Sequence, residues 1–517
     1  MSAWDSLDDD RYRDEADAIA ALLAAEPLDA AARAGISHAA AALVLETRKG
    51  ARRRGVIESY LQEFSLSTPE GLALMCLAEA LLRTPDDETR SRLIAEKIGS
   101  ADWAAHLGRS DSLFVNASTW GLMLTGRLAE VEAAARDDLP GYLARLAGRL
   151  GEPMIRGAVA RAIRIMGEQF VLGGAIEAAL ARAEAEGFLC SFDMLGEGAR
   201  TAADAARYET AYTAAITAVG ARSAGAGPER GHGVSVKLSA LSPRYEATQE
   251  ARVWRELYPR LLRLAQAAAA QDIGLTIDAE ESERRVLSLK LLDRLAREPS
   301  LGGWRGLGLA VQAYQKRAPQ VIGRLQALAQ DSGRRLMVRL VKGAYWDSEV
   351  KRAQVGGRPD YPVFTAKAAT DLSYLVCAKA LIAAAPHLYP QFATHNAHTL
   401  VAVQTLARSG RVQVEFQRLH GMGEALYAAA RRNDPSLVVR AYAPVGAHVD
   451  LLPYLVRRLL ENGANSSFVH RLLDEATAPE LVVADPVPAA QAVLRDGGRR
   501  IPRPIDLYGD RRNSTGL

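Results

Sequence analysis

From residue 188 onward, short apolar or alternating runs take turns with longer amphipathic stretches. The runs are FLCSFDML (188–195), GVSVKLSAL (233–241), GLTIDAE (274–280), GLGLAVQAY (306–314), RLMVRLVKGAYW (335–346), QFATHN (391–396), VQVEFQRL (412–419) and VVRAYAPVG (438–446). Segments with helical spacing separate them, among them 251–271, 281–297, 316–331, 365–385 and 397–409. Strands alternating with helices of this length predict parallel β-α-β units. Eight such units in succession predict a closed (β/α)8 barrel, an α/β fold.

The preceding stretch, from about residue 10 to 185, reads as helix after helix rich in Ala, Leu, Arg and Glu. Thr68 followed by Pro69 marks one helix start, because a proline in the first turn gives up an N–H that would be unpaired there anyway. The predicted organisation is a helical arm over 1–50, a small helical domain over 51–150, the barrel with its linker helix over 151–483 and a tail over 484–517. The basic run Arg48, Lys49, Arg52, Arg53 and Arg54 reads as a solvated helix face. After the last strand, DLLPYLVRRLLENGANSSFVHRLL reads as a helix that Asn462-Gly463 can stop.

Charge and cysteines narrow the function classes. Lys and Arg total 64 against 61 Asp and Glu, a net +3, which gives no electrostatic reason to expect nucleic acid as a partner. Cys76, Cys190 and Cys377 are widely spaced and odd in number, so they predict buried small side chains in a reducing compartment. The acidic opening reverses the order of a secretory signal, and no apolar run reaches membrane-spanning length. A cytoplasmic protein with at most a peripheral membrane contact is expected.

Barrels of this kind carry their chemistry at the C-terminal ends of the strands. Seven of the eight predicted strands place a polar group there: Asp193 and Glu197, Lys237, Asp278, Gln312, Arg339 and Lys342, His395, and Tyr442. Lys237, Arg339, Lys342 and the pair Arg457-Arg458 on the following helix predict an anionic ligand, phosphate or carboxylate. Arg457 and Arg458, about 100° apart on a helix, can embrace one carboxylate, although the same residues also read as an exposed Arg-Arg-Glu face with Glu461. Gly306-Leu307-Gly308 opens like a dinucleotide fingerprint, but Val311 stands where the third glycine belongs and a strand follows, which excludes a Rossmann site. His395, His398 and Asp278 give a weak metal signal without a helical H-E-x-x-H. A Schiff-base aldolase using Lys237, a metal-dependent hydrolase and a non-catalytic docking role are the alternatives.

Eight ordered motifs resemble the proline dehydrogenase family, most closely the proline-oxidising half of bifunctional bacterial proline-utilisation flavoproteins. They are VSVKLSALSPRYE (234–246), LTIDAEESERR (275–285), LAVQAYQKRA (309–318), RLVKGAYWDSEVKRAQ (339–354), ATHNAH (393–398), EFQRLHGMGE (415–424), YAPVG (442–446) and YLVRRLLENGANSSF (454–468). The segment STPEGLALMCLAEALLRTPD (67–86) resembles the small helical domain of those proteins. The resemblance implies a barrel holding non-covalent FAD, lined by Gln312, Arg339, Lys342, Gly343, Ala344, Trp346, Thr365, Lys367, Thr394, His395, Asn396, Glu461, Ser467 and Phe468. Packing alone also accounts for Trp346 and Phe468.

By the same carry-over, Lys237, Arg457 and Arg458 clamp the substrate carboxylate. Tyr442, Tyr345 and Leu419 wall the ring, with Tyr442 disfavouring a hydroxylated one. Asp278 orients Lys237 and tunes the site, and Glu197 pairs with Arg457 over bound substrate or is a solvated loop carboxylate. The implied reaction is hydride transfer from L-proline to flavin N5, giving Δ1-pyrroline-5-carboxylate, the first step of proline catabolism. Electrons then pass to a membrane quinone during transient visits to the inner face of the membrane. The acidic opening lacks the DNA-binding ribbon-helix-helix of some relatives, so no nucleic acid is expected. RRNSTGL resembles the junction into an aldehyde dehydrogenase, which implies a longer parent chain.

Overall fold

The computed structural model describes residues 4–51, 171–196, 198–446, 472, 474 and 476–509. Eight parallel strands close into a barrel in sequence order: β1 Leu189–Met194, β2 Gly233–Val236, β3 Gly274–Ile277, β4 Leu307–Gln312, β5 Leu336–Val341, β6 Leu388–Ala393, β7 Glu415–Leu419 and β8 Val438–Val445. The last strand pairs with the first, Ser191 opposite Tyr442 and Asp193 opposite Pro444. The (β/α)8 expectation holds. Strand β6 starts at Leu388, three residues before the predicted run, because Pro390 sits inside a strand that the sequence made look broken. The predicted helix 251–271 is two helices, Glu250–Glu256 and Tyr258–Ala270, divided at Leu257 just before Pro259.

Alternation along the strands sorts the side chains into two environments. Phe192, Val234, Val236, Leu309, Val338, Leu340 and Phe392 point outward and join helix residues such as Leu261, Leu291 and Leu325 in the main hydrophobic core. The inward set is different in kind. Ser191, Ser235, Thr276, Arg339, Gln391, Gln417, Glu415 and Arg440 occupy register-matched positions, and all are buried. A barrel interior is ordinarily filled by bulky branched side chains. Here it is polar, and near the strand starts Arg440 makes a two-pronged pair with Glu415, Nε and Nη2 each at 2.9 Å. Gln391 and Gln417 donate to the same carboxylate at 2.9 and 2.7 Å.

The N-terminal arm lies along the outside of the barrel. Trp4 donates its indole N–H to Asp293 at 2.8 Å, and the buried Arg317 holds Asp8 at 2.5 Å and the Leu7 carbonyl at 3.2 Å. Helix Glu15–Ala24 packs with helices Lys367–Ala383 and Pro486–Arg495, and helix Ala30–Ala51 packs on Ala397–Gly410 and Glu424–Asn433. The solvated reading of Arg48 is corrected: it is buried and donates to the carbonyls of Leu472 at 2.8 Å and Thr477 at 2.9 Å. A guanidinium can enter an interface when carbonyls accept its hydrogens. Cys190 and Cys377 are buried free thiols, both pushed up to about 12 by burial. Cys76, Arg52, Arg53, Arg54 and the helical domain predicted over 51–150 lie outside the described residues, Ala51 apart. Among the described residues no helix is long and apolar enough to cross a membrane.

Candidate active site

At the C-terminal end of the barrel the inward side chains of five strands meet in one buried network. Lys237, following β2, donates from Nζ to Asp193 on β1 at 2.6 Å, to the Tyr442 hydroxyl on β8 at 3.1 Å and to Asp278 after β3 at 3.3 Å. Tyr442 in turn donates to Asp278 Oδ2 at 2.7 Å. Arg339 on β5 reaches across the barrel, donating to Asp278 Oδ1 at 2.9 Å and to the hydroxyls of Ser191 and Ser235 at 2.8 and 3.0 Å. Its guanidinium also lies over the Tyr442 ring, 5.2 Å from the centroid.

Two cations and two carboxylates make this set electrically closed. Burial alone would lower the Lys237 pKa, but Asp193, Tyr442 and Asp278 outweigh it and hold the ammonium well above the usual lysine range. Lys237 therefore stays charged at neutral pH, which disfavours the Schiff-base alternative, since an amine must be neutral to attack a carbonyl. Burial, together with the two aspartates, also raises the Tyr442 phenol well above its usual value, so it keeps its proton.

Arg339 and Lys342 have different protein partners. Arg339 belongs to the inner network, whereas Lys342 pairs with Asp371 on helix Lys367–Ala383, and Lys367 reaches the other oxygen of Asp371 at 2.5 Å. Burial would raise Asp371, yet the two ammonium groups hold it at about 2. Burial, helped by the neighbouring charge of Lys367, pushes Lys342 down to about 8 against the opposing pull of Asp371.

The remaining predicted positions surround these groups. Gln312 ends β4, accepting from Gln315 at 2.6 Å and Arg285 at 3.3 Å. Gly343 and Ala344 follow β5. Gly343 has φ +141, and a β-carbon there would meet the Tyr314 ring at 2.4 Å, so only glycine lets the backbone come this close to that ring. Tyr345 precedes helix Trp346–Val355. Trp346, at 37 % exposure, donates its indole N–H to the Phe364 carbonyl at 2.9 Å. Thr365 turns its hydroxyl toward Glu15 at 3.0 Å and accepts from the Arg500 N–H at 2.9 Å. Thr394 and Asn396 serve local backbone, Asn396 capping helix Ala397–Gly410 through Thr399 N–H at 3.0 Å. His395 accepts the Leu419 N–H on Nε2 at 3.1 Å, so a neutral ring carries its proton on Nδ1. Among the described residues no group of three or more His, Cys, Asp or Glu side chains is placed to hold a metal ion. Glu197, Arg457, Arg458, Glu461, Ser467 and Phe468 lie outside the described residues.

Sequence reasoning placed Asp193 at a strand end without a role, although it is the nearest partner of Lys237. It missed Ser191 and Ser235, which hold Arg339, and Asp371. The signal for the first three was present: Ser191-Phe192-Asp193 and Ser235-Val236-Lys237 repeat a polar residue at every second, inward position.

Comparison with known proteins assigns the chain to a family. A family model described as proline dehydrogenase matches residues 176–471, and one described as the DNA-binding domain of proline dehydrogenase matches residues 56–170, outside the described residues. That second description stands beside the expectation of no nucleic-acid partner. The chain is 55 % identical over 484 residues to the bifunctional protein PutA of Salmonella typhimurium, covering 90 % of this chain and 36 % of the relative. It is 51 % identical over 483 residues to the bifunctional protein PutA of Rhizobium meliloti, covering 92 % and 39 %. A crystal structure of a bifunctional proline utilization A protein superposes with a TM-score of 0.75 at 48 % identity, covering 98 % of this chain and 51 % of that one. The chain thus spans little more than a third of the length of these curated relatives.

Proposed function

The chain belongs to the proline dehydrogenase family, and from that premise we propose that it oxidises L-proline to Δ1-pyrroline-5-carboxylate with FAD as its cofactor. The observation that carries the reading is the closed, buried network of Asp193, Lys237, Asp278, Arg339 and Tyr442 at the catalytic end of a barrel lined with polar side chains. Position matters more than burial, since Arg440 and Glu415 also form a buried pair near the strand starts, whereas Lys237, Asp278 and Arg339 gather at the strand C-termini where this fold carries its chemistry.

The residues present fit a flavin nucleotide. Arg339 Nε is a buried donor without a hydrogen-bond acceptor, Lys342 and Lys367 stand together at the rim, and Trp346 offers a half-open indole face. With Gly343 and Gln312, these are the groups that would hold the cofactor. FAD, when bound, supplies the hydride acceptor. The protein's part is position, charge and exclusion of water. Lys237 remains protonated, so it serves as cation and donor and is not the base for the amine proton.

The inner network has no surplus positive charge for an amino-acid carboxylate. Arg457 and Arg458 are therefore assigned as the groups that neutralise it, with Lys237 exchanging its longest contact, the one to Asp278, for a substrate oxygen. Tyr442, Tyr345 and Leu419 wall the ring, and Glu197 pairs with Arg457. A membrane quinone as final acceptor and an aldehyde dehydrogenase as consumer of the product belong to the same reading. Arg457→Ala and Arg458→Ala test it. Each is expected to weaken L-proline binding by about tenfold or more while leaving flavin content intact. Loss of flavin instead would mean that these arginines serve the cofactor.

A further inference from the structure

The loop that carries Thr365 and leads into helix Lys367–Ala383 is held from behind by both ends of the described chain. Glu15, in the first turn of helix Glu15–Ala24, is fully buried. Its Oε1 accepts from the Thr365 backbone N–H at 2.6 Å, the Thr365 hydroxyl at 3.0 Å and the Ala366 N–H at 3.3 Å. Ala366, the N-cap of helix Lys367–Ala383, offers no capping side chain of its own, and a carboxylate from 350 residues away accepts instead the N–H groups of Thr365 and Ala366 at the helix entry. On the other side, the Arg500 N–H donates to the Thr365 hydroxyl at 2.9 Å, and Tyr361 donates its phenol to the Pro502 carbonyl at 2.8 Å. Ile19, Leu22, Val487 and Ala490 pack against Phe364 and Ala366.

The same loop is where the cofactor-side residues are tied together. Phe364 accepts the Trp346 indole N–H through its carbonyl and donates its own N–H to the Tyr314 carbonyl at 2.8 Å. Tyr314 donates its N–H to the Lys342 carbonyl at 2.8 Å, and Gly343 lies against its ring. Lys367, the first residue of the helix, shares Asp371 with Lys342. A shift of Thr365 and Ala366 would thus move Trp346, Lys342 and Lys367 together.

Adhesion of the arm does not require Glu15, because Ile19 and Leu22 already supply apolar contact. Burying a carboxylate whose second oxygen has no hydrogen-bond partner is costly, and burial does raise Glu15 above the usual carboxylate range. Lys316, itself buried and bonded to the Arg13 carbonyl at 2.9 Å and to Asp360 at 3.1 Å, is the nearby cation that partly offsets the cost.

We propose that Glu15 is a positioning residue for the cofactor: through Thr365 and Ala366 it holds the segment that binds a flavin nucleotide, so the N-terminal arm sets FAD affinity without touching FAD. This rests on the FAD reading above. The experiment titrates the apoprotein of the full chain with FAD, following flavin fluorescence, for wild type, Glu15→Ala and Glu15→Gln. Glu15→Ala is expected to raise the FAD Kd by about tenfold or more, the worth of one charge-assisted hydrogen bond. Glu15→Gln keeps an oxygen that can accept the same donors and should stay within about threefold of wild type. At saturating FAD, kcat and the KM for L-proline should match wild type in both. An unchanged Kd in Glu15→Ala overturns the proposal, and so does equal loss in both variants accompanied by a general fall in apoprotein stability. Should Glu15→Ala not fold, Glu15→Asp, one methylene too short to reach all three donors, decides in its place: a raised Kd supports the proposal and an unchanged one overturns it. Wild-type protein that binds no FAD would sink the functional reading itself, whereas wild type that binds FAD beside an equally tight Glu15→Ala sinks only this inference.

Discussion

Replacing Lys237 with methionine keeps the chain's length and removes only the charge and its three donated bonds. Asp193 loses a partner at 2.6 Å, Asp278 one at 3.3 Å and the Tyr442 hydroxyl one at 3.1 Å. Arg339 then faces two buried carboxylates. Breaking a buried pair by deleting one partner costs about 3–5 kcal/mol, unless the stranded acid takes up a proton. Asp193 is the group that can do so. Burial raises its pKa in the intact protein, with Lys237 opposing, and removing the lysine lets burial act alone. An acid whose folded pKa lies above its unfolded value holds its proton in the native state while the unfolded chain has released it. Folding stability then falls as pH rises from about 4 toward the folded pKa. The variant should therefore trail wild type by about 3–5 kcal/mol at pH 8. At pH 5 the deficit should shrink to about 1–2 kcal/mol, the residue of the lost hydrogen bonds. Urea denaturation at both pH values, at equal FAD concentration and with unchanged m-values, reads this out. An identical deficit at pH 5 and pH 8 would refute the idea that Lys237 closes a charge-balanced network.

Two further perturbations test the rim. Lys342, held at about 8 by burial, should lose its charge as pH rises through that value. Affinity for an anionic flavin nucleotide should then fall between pH 7 and pH 9, even as release from the buried charge stabilises the fold toward the ordinary lysine value. Lys342→Arg, which does not titrate there, should flatten the FAD binding profile, and an unchanged slope would remove Lys342 from the account. Gly343→Ala drives a β-carbon toward the Tyr314 ring, 2.4 Å away, at φ +141. It should cost about 1–3 kcal/mol of stability and reduce flavin content, both measurable on the purified variant. A variant with wild-type flavin content and melting temperature would mean that this close approach is dispensable.

The barrel was legible in the sequence because its two periods are clean: hydrocarbon at every second residue of a strand, and amphipathic helices between. The active-site strands were legible for a related reason, since charged residues at Lys237, Asp278 and Arg339 interrupt runs that would otherwise be core. What the sequence concealed depends on contacts across the barrel. Nothing in the sequence showed that Arg339, inside the barrel, and Lys342, past the strand end, have different partners, Asp278 and Asp371. Arg48 looked solvated because carbonyls, which any residue carries, leave no mark in the sequence as acceptors. Glu15 looked like any acidic residue in a first helical turn, and its role depends on Thr365 and Arg500 arriving beside it from distant parts of the chain.

Anaerobic mixing of the purified chain with L-proline measures most directly whether this barrel mouth presents an amino acid to a flavin. The account predicts a yellow protein whose flavin absorbance bleaches as Δ1-pyrroline-5-carboxylate forms in equal amount, with the same bleaching much weakened in Arg458→Ala. A colourless protein, or bound flavin that L-proline leaves oxidised, would contradict it.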